Sequence, residues 1–142
     1  MKQRTLFIIA TVLATLFIFS NSLQSAELSS EASGVLVAAV SKVLSVFGYS
    51  PDADTVTYFV RKAAHLSEFT LHGLLLTGCF SMAFKRRIIY VLFFGLATGC
   101  IDEYLQLFSD GRASMVQDVF IDFAGTILGL WFFGITRKFR GK

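Results

Sequence analysis

Arg61, Lys62, His65 and Glu68 stand at the head of one apolar stretch of this chain. Asp102, Glu103 and Gln106 close the next, and Arg112, Asp118 and Asp122 open the last. These side chains could do several kinds of chemistry. A histidine beside carboxylates can take up and release protons as a general acid or base, with His65 as the centre and Glu68 or Asp118 beside it. Arginine and lysine hold phosphates and carboxylates, and nearby acids orient them. A histidine with acids such as Glu68, Asp102 and Asp118 could ligate a divalent ion. Alternatively Arg61, Lys62 and Arg112 merely neutralise Glu68, Asp102, Glu103 and Asp118, locking helices together. The His/Glu spacing is not HExxH, so no metal and no cofactor is expected. No GxSxG supports a serine nucleophile, and Ser114 falls in a turn.

Spacing groups these residues by face. Arg61 and His65 are four apart, His65 and Glu68 three, and Glu68 and His72 four; Asp102 and Gln106, and Asp118 and Asp122, are also four apart. In helices each set shares one side. His72 lies deeper and reads as a packed, neutral imidazole bonded to a backbone carbonyl or to Glu68.

The elements that must carry these residues are membrane helices. Of 142 residues 54% are apolar and 16% charged, against about 25% charged in soluble domains, and the mean hydropathy is +0.64. Sixteen phenylalanines and one proline suit lipid-facing helices. One domain over residues 1–142 is expected, an all-α bundle with spans at about 5–20, 58–84, 88–108 and 115–135. The first run also has the form of a signal peptide; we read it as a retained helix. Residues 23–60 read as a large loop carrying an interfacial helix at Ser33–Tyr49. Ser50-Pro51-Asp52 reads as the start of the second span, with Ser50 as its cap. Cys79 and Cys100 lack ligand or CxxC spacing and read as small buried hydrophobes.

Basic residues predict the orientation. Lys2 and Arg4, Lys85-Arg86-Arg87, and Arg137 to Lys142 alternate on one side, whereas the long loop carries Glu27, Glu31, Asp52 and Asp54. Both termini should therefore be cytoplasmic. Consecutive spans run in opposite directions, so the polar ends of all three should meet near the outer surface. All but His72 would lie within about three turns of it at ~1.5 Å per residue. Charge at that depth is costly and points to a functional site. Arg61 and Lys62 lie on the side where topology does not need them, and Arg61 or Arg112 should pair with an acid. Gly95-x-x-x-Gly99 and Gly125-x-x-x-Gly129 allow close helix approach, within the bundle or between two copies. Trp131 with Phe132 and Phe133 reads as an inner-interface anchor. No basic stripe interleaved with aromatics suggests nucleic acid.

Four segments together resemble the VanZ-like family of small bacterial membrane proteins. They are FSNS (19–22), RKAAHLSEF (61–69), IDEYLQLF (101–108) and GRASMVQDVFIDFAGTILG (111–129). The family pattern falls on Arg61, Lys62, His65, Glu68, Asp102, Glu103, Gln106, Gly111, Arg112, Asp118, Asp122 and Gly125; His72 departs from it. The resemblance implies a multi-pass protein of the bacterial cytoplasmic membrane, similar to an accessory factor that raises teicoplanin resistance. Joined to the residues, it leads us to expect an outward cavity binding an anionic envelope lipid, a cell-wall precursor or a lipoglycopeptide. A membrane-embedded hydrolase or transferase acting on a lipid headgroup, and a structural partner of envelope enzymes, are the alternatives.

Overall fold

The computed structural model describes residues 2–81 and 87–140 and is all-helical. Five helices follow in order: α1 (Lys2–Ser22), α2 (Ala26–Val46), α3 (Ala53–Ser81), α4 (Arg87–Gln106) and α5 (Val116–Arg140). The expected polypeptide layout holds, with boundaries moved. The long loop is largely helix, since α2 begins at Ala26 rather than Ser33, capped by the Ser25 hydroxyl on the Leu28 amide at 3.3 Å. Asp52, not Ser50, caps α3: its carboxylate accepts from the Thr55 amide and hydroxyl, both at 2.8 Å. A carboxylate there satisfies amides that have no partner within the helix. Lys85, Arg86 and Lys142, expected to set topology, lie outside the described residues.

The burial pattern is the reverse of a water-soluble protein's. Asp102, Asp122 and Thr126 are fully buried, while Phe120 is 69% and Phe93 64% exposed. An apolar solvent outside and a polar seam inside account for that arrangement. Four threonine hydroxyls in α3, α4 and α5 are satisfied within their own helices. Thr70, Thr77, Thr98 and Thr126 each donate to the carbonyl four residues earlier, which lets them sit in an apolar helix at little cost.

Length and composition alone qualify α1, α2, α4 and α5 to cross a membrane. Tertiary structure assigns α2 and α3 differently. Helix α3 is too polar to qualify, yet it is the hub, packing on all four others. Thr11 meets Cys79 and Thr15 meets His72, so α1 runs antiparallel to α3. Helix α5 runs parallel to α3, with Lys62 against Asp118 and the Gly125 region against Leu66. Helix α4 is antiparallel to both.

Helix α2 starts at the end of the bundle where α1 finishes, its Ala26 amide bonded to the Asp110 carbonyl at 2.9 Å. At ~1.5 Å per residue it is about 30 Å long, and Ala53 stands about 18 Å beyond the level of His65. Were α2 to run down the bundle, its end would lie nearly 50 Å from Ala53. The connecting residues 47–52 reach about 25 Å at most. Helix α2 therefore stays at this end of the bundle. It buries no residue and leaves Val35, Val46 and Phe47 exposed, as an interfacial helix does.

Close packing rests on the small residues. A Cβ at Gly125 would lie 2.6 Å from the Leu66 carbonyl oxygen and 2.9 Å from the Phe69 Cβ, and one at Gly99 would lie 3.3 Å from the Asp122 Cβ. Gly95 faces Thr126, and Gly129 faces Thr70 and Leu74. Both GxxxG faces are thus occupied within the chain. Phe133 packs edge-on against Phe7, while Trp131 faces outward. Cys79 is half-buried, but Cys100 is exposed, contrary to its expected burial.

Candidate functional site

Three helices bring His65, Asp102 and Asp122 together. The imidazole Nδ1 lies 3.3 Å from Asp122 Oδ1 and 3.8 Å from Asp102 Oδ2. Both carboxylates are fully buried and His65 is half-buried. The sequence paired His65 with Glu68 or Asp118; the observed partners are instead on α4 and α5. Glu68 and Asp118 are held elsewhere. Asp118 forms an ion pair with Lys62, whose ammonium also lies 5.0 Å from the Tyr58 ring centroid. Asp118 sits in the first turn of α5, where the helix dipole favours negative charge. Glu68 accepts a hydrogen bond from Asn21 Nδ2 at 3.0 Å.

The acids of α4 are held by neutral donors. Gln106 Nε2 donates to Asp102 at 3.0 Å and to Glu103 at 3.1 Å. The Ser22 hydroxyl donates to the other oxygen of Asp102. Glu103 accepts from the Met115 amide at 2.8 Å, satisfying an amide at the start of α5. The alternative in which bases neutralise the acids holds for Asp118 with Lys62 and not for Glu68, Asp102 or Glu103. Lys62 with Asp118 is the one lysine or arginine ion pair among the described residues.

Arg61 or Arg112 was expected to pair with an acid, and neither does among the described residues. Arg112 Nε is buried without a hydrogen-bond partner. Arg112 lies in the connection between α4 and α5, near Glu68, Asp102 and Glu103 but not bonded to them. Burial, and then the Arg61 guanidinium nearby, push its pKa below the ordinary arginine value. An arginine stays charged regardless, so two unpaired guanidinium groups share one region.

That region is hollow. A cavity of about 390 Å3 is lined by Arg61, Lys62, His65, Arg112 and Asp118, with Tyr58 at its wall. A second, of about 210 Å3, adjoins it between α2 and α3 and is lined by Asn21, Ser33, Arg61, His65, Glu68 and Arg112. The two share Arg61, His65 and Arg112. Helix α2 thus walls the site, through Ser29, Ser33 and Leu36.

Two connections pinned to each other position Arg112. The Ser109 hydroxyl donates to the Ser22 carbonyl at 2.6 Å, and the Ala26 amide to Asp110. Gly111 turns the chain at φ 72°, a conformation open to glycine at little cost. Asn21 and Ser22 are site residues that were not singled out by charge. Their signal was the polar Ser20-Asn21-Ser22 break directly after an apolar run.

His72 stays apart from the cluster, as expected, but with another partner. Its Nε2 lies 3.0 Å from the Thr15 hydroxyl. That hydroxyl also donates to the Thr11 carbonyl, and His72 Nδ1 is left without a partner.

No individual characterised protein and no solved structure matches the chain significantly. A family model does, described as VanZ/LLP1, over residues 7–137. With an apolar exterior, a buried charged seam and that match over nearly its whole length, this multi-pass membrane protein belongs to the VanZ/LLP1 family.

Proposed function

We propose that the protein binds the anionic group of a bacterial envelope component in a cavity facing outward from the cytoplasmic membrane. One observation carries the reading: Arg61 and Arg112 line a common cavity and neither is paired, although Glu68, Asp102 and Glu103 stand near Arg112. Leaving two cations unneutralised in a low-dielectric bundle is expensive unless an anion completes them. A guanidinium fork matches a phosphate or carboxylate in two-point contact. A phospholipid or polyprenyl phosphate, a cell-wall precursor and a lipoglycopeptide all offer that group beside an apolar tail. An acylated glycopeptide such as teicoplanin would meet the site at the membrane surface, consistent with a resistance role.

The outward orientation follows from charge. Lys2, Arg4, Arg137 and Lys138 gather at the end opposite the cluster, while Glu27, Glu31, Asp52 and Asp54 lie at the cluster end. A single cysteine placed at Asp110, in a background lacking Cys79 and Cys100, should label from outside intact cells with an impermeant thiol reagent. One at Arg137 should label only after lysis. The reverse pattern would put the cavity in the cytoplasm and remove the envelope ligands from consideration.

Binding itself is tested by native mass spectrometry of protein extracted from mixed bilayers of phosphatidylglycerol and phosphatidylcholine. Phosphatidylglycerol should stay bound well beyond its share of the bilayer. Retention in proportion to composition would defeat the proposal.

A second reading has its own support, since His65 lines both cavities and is held by Asp122 at 3.3 Å. That geometry suits acid–base catalysis on a bound headgroup. Under it, His65→Gln would abolish turnover while lipid retention persisted.

A further inference from the structure

We propose that His65, Asp102 and Asp122 form a site for a single first-row divalent cation, of the zinc or manganese class. The three residues come from α3, α4 and α5, and no spacing in the chain announces them. Their donor atoms (one imidazole nitrogen and two carboxylate oxygens) all lie within 4.8 Å of one another. At metal–ligand distances of about 2.0–2.2 Å, donors around one ion stand roughly 3 to 4 Å apart. The observed separations of 3.3 Å and 3.8 Å from His65 Nδ1 fit that requirement.

Two further observations point to a ligand. Asp122 is fully buried, and its Oδ2 has no hydrogen-bond partner. Gly99 packs against it, since a Cβ there would lie 3.5 Å from that oxygen, and no donor from that side reaches it. A buried carboxylate oxygen left unpartnered is costly, and a cation relieves it.

The second observation is charge. Glu68, Asp102, Glu103, Asp118 and Asp122 face Arg61, Lys62 and Arg112. No lysine or arginine reaches Asp102 or Asp122 among the described residues, and a divalent ion between them would supply positive charge at that point. The partners around the donors behave as supports of a metal site do. The Ser22 hydroxyl holds the far oxygen of Asp102, and Gln106 orients the near one.

Donor chemistry selects the ion. An imidazole with two carboxylates, and no thiolate, suits zinc or manganese better than calcium or magnesium, which prefer all-oxygen shells. His65 lines both cavities, so an ion on its Nδ1 would border the space that holds Arg61 and Arg112. A phosphate there would bridge cation and guanidinium groups. The metal site does not depend on the anion reading, and the experiment separates the two.

Protein purified in detergent is stripped with chelator, reloaded with Zn2+ or with Mn2+ alone, dialysed, and assayed for metal content and melting temperature. About one ion per chain and a higher melting temperature are expected. Asp122→Asn and His65→Gln should each weaken binding by at least about tenfold, the loss typical when even a group that only orients a metal ligand is removed. Arg61→Ala should keep the metal while losing anionic lipid. Absence of stoichiometric metal in the parent, or its retention in Asp122→Asn, would overturn the site. Should both ligand variants fail to fold, zinc absorption spectroscopy of the parent decides. A shell of one imidazole and oxygens supports the site; two imidazoles or any sulfur, implicating His72, Cys79 or Cys100, overturn it.

Discussion

Arg112→Ala is expected to weaken retention of phosphatidylglycerol between tenfold and a hundredfold while the protein inserts and melts like the parent. The guanidinium sits on the wall shared by both cavities, without a carboxylate partner. Its loss therefore breaks no internal ion pair. A hydrogen bond to a charged group contributes about 1.5–3 kcal/mol, and ~1.4 kcal/mol corresponds to tenfold in affinity. Arg61→Ala should act in the same direction. Arg112→Lys should rescue only part, because an ammonium cannot make the two-point contact of a guanidinium fork. Lys62→Ala also bears on binding but acts differently, since Lys62 is engaged by Asp118 and its removal strands a buried carboxylate. Stability should fall there along with binding. Titrating salt while lipid retention is measured adds a check, because half-buried cations open to a cavity are screened only in part, so retention should weaken modestly as ionic strength rises. Unchanged retention in Arg112→Ala, Arg61→Ala and Lys62→Ala would mean that the cluster holds the helices together and nothing else.

Gly125→Leu is expected to lower the melting temperature more than any substitution at an outward glycine, and to abolish ligand retention with it. A Cβ at this position collides with the Leu66 carbonyl and the Phe69 Cβ. Backbone cannot step aside as a flexible side chain can, so α3 and α5 must separate. Overpacking typically costs about 1–3 kcal/mol, and contact with backbone places this case at the upper end. Separation also carries Asp122 away from His65, one turn along α5 from the collision. Gly134→Leu is the matching control, because nothing lies within 4 Å of a Cβ there. Equal melting of the two variants in a thermal-shift assay would refute close α3–α5 packing as the support of the site.

The sequence by itself determined the class of protein and the membership of the polar cluster. Apolar runs of membrane length, interrupted at matching ends by Arg61 to Glu68, Asp102 to Gln106 and Arg112 to Asp122, follow from alternating helix direction alone. Because each polar group sits at the end of a run, any up-and-down bundle must collect them at one level. The GxxxG spacings likewise announced close packing, whatever surface they would meet.

Pairing within the cluster was not legible, since it depends on the rotation of each helix and on who its neighbours are. His65 could have turned to Glu68 one turn away on its own helix; packing of α3 parallel to α5 turned it to Asp122. Lys62 rather than either arginine took Asp118, and Asn21 and Ser22 came to hold Glu68 and Asp102. The roles of α2 and α3 were decided the same way. By composition α2 could cross a membrane and α3 could not. A six-residue connection is too short to let α2 descend the bundle, and four neighbouring helices shield the polar face of α3 from lipid. Hydropathy measures what a helix would cost alone in a bilayer, and the tertiary structure decides which helix has to face it.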